Sequence, residues 1–207
     1  MSLRLTFRFG ERYTMGWILF TFLAAGMQAW RNAFQSQLSK EVNTAGVTLA
    51  RFLWATPIAL IYLVGLYTWQ PVGLPFITPT FSLYVLAAAG MQIVATMMMV
   101  KLFKMRNFAV GAGLAKSEAL MAAILGVIFF GTYLSWLGWL GVLLGGVAVF
   151  IMSSGQKLKQ ISFTTVMLGL ACGGAFALTS LWVREASLSL DLPFPHRAAW
   201  VLVFVIA

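Results

Sequence analysis

Three polar residues interrupt an otherwise apolar run, FAVGAGLAKSEALMAAILGVIFF, between Phe108 and Phe130: Lys116, Ser117 and Glu118. The run is long enough to cross a bilayer, and a full charge at that depth costs about 2.5–3.5 kcal/mol on insertion scales. A helix keeps such residues where protein or trapped water surrounds them, so the run is expected to line the interior of a helical bundle. Helical neighbours are ~100° apart, which puts Lys116 and Glu118 about 200° apart around the axis, so they cannot face one point. Glu118 is the one carboxylate deep in an apolar run. Intramembrane carboxylates mark proton relays, which makes Glu118 the candidate for proton coupling. The alternative is that Lys116 and Glu118 belong to structural ion pairs, with Arg31 or Arg51 as a partner.

A second polar set lies on the first apolar helix, expected over about Met15 to Leu38. Gln28, Arg31, Asn32 and Gln35 are spaced i, i+3, i+4, i+7, which places them on one face. Lipid cannot satisfy such a stripe, so it faces the bundle or a cavity. Arg31 alone could snorkel from the helix end, but Gln28 is too deep to do so. Gln92 and Thr96 form a further i, i+4 pair on the third apolar helix, followed by Met97-Met98-Met99. Methionines can line a site for varied apolar shapes, though they more often simply pack.

The elements that must position these residues are membrane helices. Hydrophobic residues make up 61% of the 207, and charged residues only 9%. A soluble domain carries about 25% charged residues, so the fold class expected is an all-α integral membrane protein. The net charge is +9, but basic residues sit between apolar runs rather than in a patch, which fits topology signals and lipid headgroups, not nucleic acid. Cys172 is the single cysteine and His196 the single histidine. No disulfide framework, thiolate metal site or His-pair metal motif can be built, and no cofactor is implied. An intramembrane enzyme would need a nucleophile–base pair or a metal cluster at helical spacing, and the spans supply neither. The chain is therefore read as not an enzyme.

Residues 1–14 carry Arg4, Arg8 and Arg12 ahead of an apolar run too long for a signal core, with no small-residue cleavage site after it. Met15 is an alternative start. Helix two is expected over about Ala45 to Thr68, with Arg51 near its start, either snorkelling or facing inward, and Pro57 near its middle. The proline-rich, uncharged loop from Trp69 to Thr80 suits an interface. Helix three covers about Phe81 to Phe103, and Lys101, Lys104 and Arg106 mark a basic junction before the helix over 108–130. Helix five, about Tyr133 to Ser154, carries the GxxxG pair Gly141 and Gly145, which suits either packing within the chain or a homodimer seam. Residues 155–160 form a polar linker with Lys157 and Lys159. Helix six follows over about Ile161 to Ala186. Helix seven begins near His196 and runs only about 12 residues to Ala207, against ~20 for a span. About seven spans are expected, the last cut off, as in a C-terminally truncated chain.

An internal echo accompanies this order. Leu23-Ala24-Ala25-Gly26 recurs as Leu170-Ala171-Cys172-Gly173 at a shift of 147, and Arg51 has a counterpart in Arg197 at 146. Both shifts fit five helices per repeat, and an odd number makes the second repeat enter the membrane inverted. The polar stripe is not repeated, since Gln28 corresponds to Ala175 and Arg31 to Leu178.

With its polar-ended first helix, its "LARFLWATPIALIYL" second helix and its glycine-rich "LSWLGWLGVLLGGVAVFIMSS", the chain resembles the ten-helix, EamA-like branch of the drug/metabolite transporter superfamily. The resemblance covers nearly the whole chain and implies two inverted five-helix repeats around a central cavity. On that basis residues 15–154 would be the first repeat and 161–207 the start of the second. It implies a multi-pass permease of the inner or plasma membrane, with a cytoplasmic N-terminus, that exports a small metabolite, amino acid or drug by alternating access. The basic residues, five on one side against six on the other, do not decide the orientation. The cavity would be lined by Gln28, Arg31, Asn32, Gln92, and Lys116 or Glu118. The alternative is a truncated, inactive fragment or an assembly partner of such a transporter. Two departures stand out: many members have proline in the fourth helix where this chain has Lys116-Ser117-Glu118, and a glutamate often follows it where this chain has Phe130-Gly131-Thr132. The small four-helix relatives couple protons through a glutamate in their first helix, and helix one here has no carboxylate to match it.

Overall fold

The computed structural model describes residues 6–105, 113, 115, 117–154 and 162–207. Lys116, Arg106, the linker over 155–160 and the start of the basic N-terminal segment lie outside the described residues. The described residues form seven helices and no strand: α1 Thr6–Glu41, α2 Thr44–Trp69, α3 Pro79–Lys104, α4 Glu118–Phe130, α5 Trp136–Ser154, α6 Phe163–Leu188 and α7 Phe194–Ile206.

Three of these, α2, α3 and α6, are long and apolar enough to cross a membrane. Each has 26 residues, or ~39 Å of helix, against about 30 Å of hydrocarbon. Helices α4 and α7 have 13 residues each, short of the ~20 a crossing needs. Among the described residues, then, three helices meet the requirement, fewer than the seven spans the sequence led us to expect. The outer faces are strongly apolar. Leu49, Leu53 and Ile61 on α2, and Trp136, Leu137 and Leu144 on α5, are all more than 60% exposed. A water-soluble fold rarely leaves contiguous patches of this kind uncovered.

Local sequence explains where the helices start and stop. Asn43 caps α2 by accepting from the Gly46 N–H at 2.7 Å, and Thr78 caps α3 by accepting from the Phe81 N–H at 3.1 Å. Gly131 ends α4 with φ +58°, a left-handed conformation that favours glycine.

The fourth helix departs from the single run expected over 108–130. Gly113 and Ala115 are helical, Ser117 is a turn residue, and α4 begins at Glu118. Glu118 thus stands in a first helical turn, where the positive end of the macrodipole favours a carboxylate. Gly173 of α6 makes room for this turn: a Cβ there would collide with Ser117 Oγ and come within 3.2 Å of the Glu118 nitrogen.

The tightest seam joins α3 to α6 antiparallel. Met99, Leu102 and Phe103 bury against Cys172 near one end, and Phe81 and Val85 against Ala186 and Leu190 near the other. The Cys172 thiol donates to the Ala95 carbonyl at 3.4 Å and is fully buried, a packing role. Met98 and Met99 pack into the same seam.

Helices α2 and α7 are also antiparallel. Thr56 reaches the Ile206 carbonyl, Ala59 and Leu63 bury against Ala199 and Val203, and Tyr67 meets His196 edge-on at 5.0 Å. At that last end the aromatic side chains form a clasp. His196 Nε2 donates to the Gln70 carbonyl at 2.8 Å, which fixes the proton on that nitrogen because a carbonyl only accepts. Trp200 Nε1 donates to the Tyr67 hydroxyl at 2.9 Å. Helix α5 packs on α4, and nothing lies within 4 Å of where a Cβ on Gly141 or Gly145 would sit.

Candidate functional site

A groove of about 1860 Å³ opens between α1, α2, α6 and α7. Drug-sized ligand pockets run about 300–1,000 Å³, so it has room for a small molecule together with water. Its walls are mostly apolar, with Met27, Trp30 and Phe34 from α1 and Trp54, Ile58 and Tyr62 from α2. Its polar groups are unusual for such walls. Among the described residues Arg31, Arg51, Arg184 and Arg197 all line it, against a single lining carboxylate, Glu41.

Toward one end of the groove, Arg31 and Gln35 are one turn apart on α1 and share a face. Arg51 of α2 lies close enough for its charge and that of Arg31 to repel. Arg51 donates to Thr96 Oγ1 at 2.8 Å, and the Thr96 hydroxyl in turn donates to the Gln92 carbonyl at 2.7 Å. That chain fixes the geometry of Arg51 and leaves its charge unmatched. Arg31 makes one long bond, to Asn32 Oδ1 at 3.4 Å, and is attracted by Glu118, but no ion pair joins the two. Arg31 Nε and Gln35 Nε2 are buried and have no hydrogen-bond partner among the described residues.

At the far end of the groove the picture divides. Arg184 is paired with Glu185 at 2.8 Å, the ion pair found among the described residues. Arg197 lies over the Phe194 ring at 5.9 Å, and its buried Nε has no partner among the described residues. Arg51 and Tyr67 are separated by ~24 Å of helix, and Arg197 sits beside Tyr67's end of α2, so the two arginines mark opposite ends of the groove.

The residues singled out from sequence fall into three groups. Arg31 and Gln92 line the groove. Gln28 and Asn32 are partly buried on α1 and are not among the lining residues, Asn32 serving as the acceptor for Arg31. Glu118 stands one residue back: its Oε1 accepts from Ser180 Oγ at 2.9 Å, and Ser180 lines the groove. Lys116 lies outside the described residues.

Several polar lining residues, Gln35, Arg51, Ser180 and Arg197 among them, were not assigned to a site from sequence. Gln35 belonged to the polar stripe, Arg51 was weighed as a snorkelling residue, and Arg197 was noted as the counterpart of Arg51. Ser180, a hydroxyl in an apolar helix, carried no sequence signal. Among the described residues no group of three or more His, Cys, Asp and Glu side chains comes together as metal ligands would.

No family model, curated protein or solved structure matches this chain. Fold and site together define a class: an all-helical protein with three helices long and apolar enough to cross a membrane, and an arginine-rich groove cut into its apolar bundle.

Proposed function

We propose that the chain is a multi-pass secondary transporter of the inner or plasma membrane, of the EamA-like branch of the drug/metabolite superfamily. It moves a small metabolite, amino acid or drug through the groove by alternating access. The observation that carries this reading is the groove itself. Arginine, glutamine and serine side chains converge on one cavity from helices whose outer faces are apolar. Lipid cannot satisfy such groups, and ionisable residues within apolar bundles mark substrate or ion pathways.

The antiparallel run of α2 and α7 supports inverted repeats, with residues 15–154 as the first and 161–207 as the start of the second. Arg51 and Arg197, each early in its helix, fall at opposite ends of the groove, as inversion requires. Glu118 is the proton-coupling residue in this reading. It touches the groove through Ser180 and attracts Arg31 of α1, so its protonation would remove the attraction on Arg31.

The test is uptake of a pooled metabolite library into everted vesicles under an imposed acid gradient, read by mass spectrometry. Gradient-dependent accumulation of a small set of compounds is expected. Accumulation no greater than in vesicles without the protein overturns the reading. Glu118→Gln keeps an acceptor for Ser180 but cannot titrate, and should abolish proton-driven uptake while membrane insertion is retained. Normal uptake by that variant removes Glu118 from the mechanism.

A further inference from the structure

The chemistry of the groove narrows what it carries, if it is a substrate path as proposed above. Buried hydrogen-bond donors are almost always paired in folded proteins, and a buried donor left unpaired costs about as much as a lost hydrogen bond. Here Arg31 Nε and Gln35 Nε2 are unpaired among the described residues, lie one turn apart on α1, and belong to residues lining one cavity. Across from them Arg51 is held in place by Thr96, an oxygen that carries no charge. Two guanidiniums whose charges repel thus line one cavity with mostly apolar walls.

The carboxylates do not balance them. Glu41 is six residues beyond Gln35, ~9 Å along α1. Glu118 attracts Arg31 but spends its Oε1 on Ser180 and forms no ion pair with either arginine. What the cluster lacks is an acceptor that carries negative charge. Guanidinium forks match carboxylate and phosphate oxygens in both geometry and charge. Beside the cluster, Trp30, Phe34, Trp54 and Ile58 offer a broad apolar wall.

We infer that Arg31, Gln35 and Arg51 form the headgroup site for an oxyanion, a carboxylate or phosphate, whose apolar body lies against Trp30, Phe34 and Trp54. A soluble organic acid and an anionic lipid share this chemistry, and the experiment separates them. The chain is reconstituted in nanodiscs of phosphatidylcholine, and 4-phenylbutyrate is titrated against its neutral isostere 4-phenylbutyramide by calorimetry. The acid should bind saturably and at least tenfold more tightly than the amide. Arg31→Gln and Arg51→Gln should each weaken the acid tenfold or more and leave the amide unchanged, with folding checked by circular dichroism.

Equal affinity for acid and amide in the unaltered chain overturns the inference, with no variant needed. A second set of discs containing phosphatidylglycerol identifies the source. Exclusion of phenylbutyrate by that lipid, with the lipid retained on purification, assigns the site to a lipid anion; unaffected binding assigns it to a soluble acid. Acid-selective binding without flux in proteoliposomes leaves this site standing and overturns the transporter reading alone. Flux that ignores the charge of the solute does the reverse.

Discussion

The aromatic clasp and the arginine cluster are both polar groups set within apolar helices, and they are resolved in opposite ways. In the clasp every donor is spent: His196 Nε2 on the Gln70 carbonyl, Trp200 Nε1 on the Tyr67 hydroxyl and the Tyr67 hydroxyl on the Gly73 carbonyl, and the Tyr67 ring meets the other two edge-on. The one group left over is His196 Nδ1, which has no hydrogen-bond partner among the described residues. In the cluster, donors are left over: Arg31 Nε and Gln35 Nε2 have no partner among the described residues, and the charge of Arg51 is met by a hydroxyl and the Phe52 ring, not by a carboxylate. A donor set closed on itself fastens two helices. An open set of donors, on residues that line a cavity of about 1860 Å³, fastens nothing. The difference separates structure from function within a single groove wall, since Arg197, adjacent to His196 in sequence, faces the groove while His196 is fully buried.

Three substitutions sharpen or break this contrast. The largest effect is expected at the clasp. His196→Ala removes a fully buried ring and its bond to Gln70, and should lower stability by about 3 kcal/mol, read as thermal unfolding in detergent. A loss below about 1 kcal/mol would mean that the clasp does not hold α2 to α7. Gly173→Val should cost about 1–3 kcal/mol, because the new side chain meets Ser117 and the first turn of α4. An unchanged unfolding temperature there would show that the turn before Glu118 can move away.

The smallest effect is expected at the cluster. Arg51→Leu removes one of two repelling charges and leaves Thr96 bonded to the Gln92 carbonyl, so stability should change by less than about 1 kcal/mol while acid binding falls. A large loss of stability on that change would make Arg51 a structural residue and erase the contrast.

Helix periodicity was legible because it is local. The termini of α2, α3 and α6 fall within about two residues of those expected from sequence, since caps such as Asn43 and Thr78 act on their own first turn. The break before α4 was not legible. Small residues read as continuous helix, and the turn at Ser117 depends on the fit of Gly173 from a helix more than 50 residues away in sequence. The polar stripe of α1 was legible as a face, but which of its members meet the groove was not. Arg31 and Gln35 line it while Gln28 and Asn32 do not, because α2 and the rest of the bundle set how α1 is turned.

The amino-acid sequence by itself determined that the chain is helical and apolar, where most of its helices lie, and that α1 carries its polar residues on one side. These follow from composition and from side-chain spacing, which act over a few residues. Only the tertiary structure decided that Arg31, Arg51, Arg184 and Arg197 share one groove, that Glu118 reaches it through Ser180, and that Cys172 and His196 are packing residues. Those relations join helices far apart in the chain, and they arise from how the helices cross and from which donors find acceptors when they do.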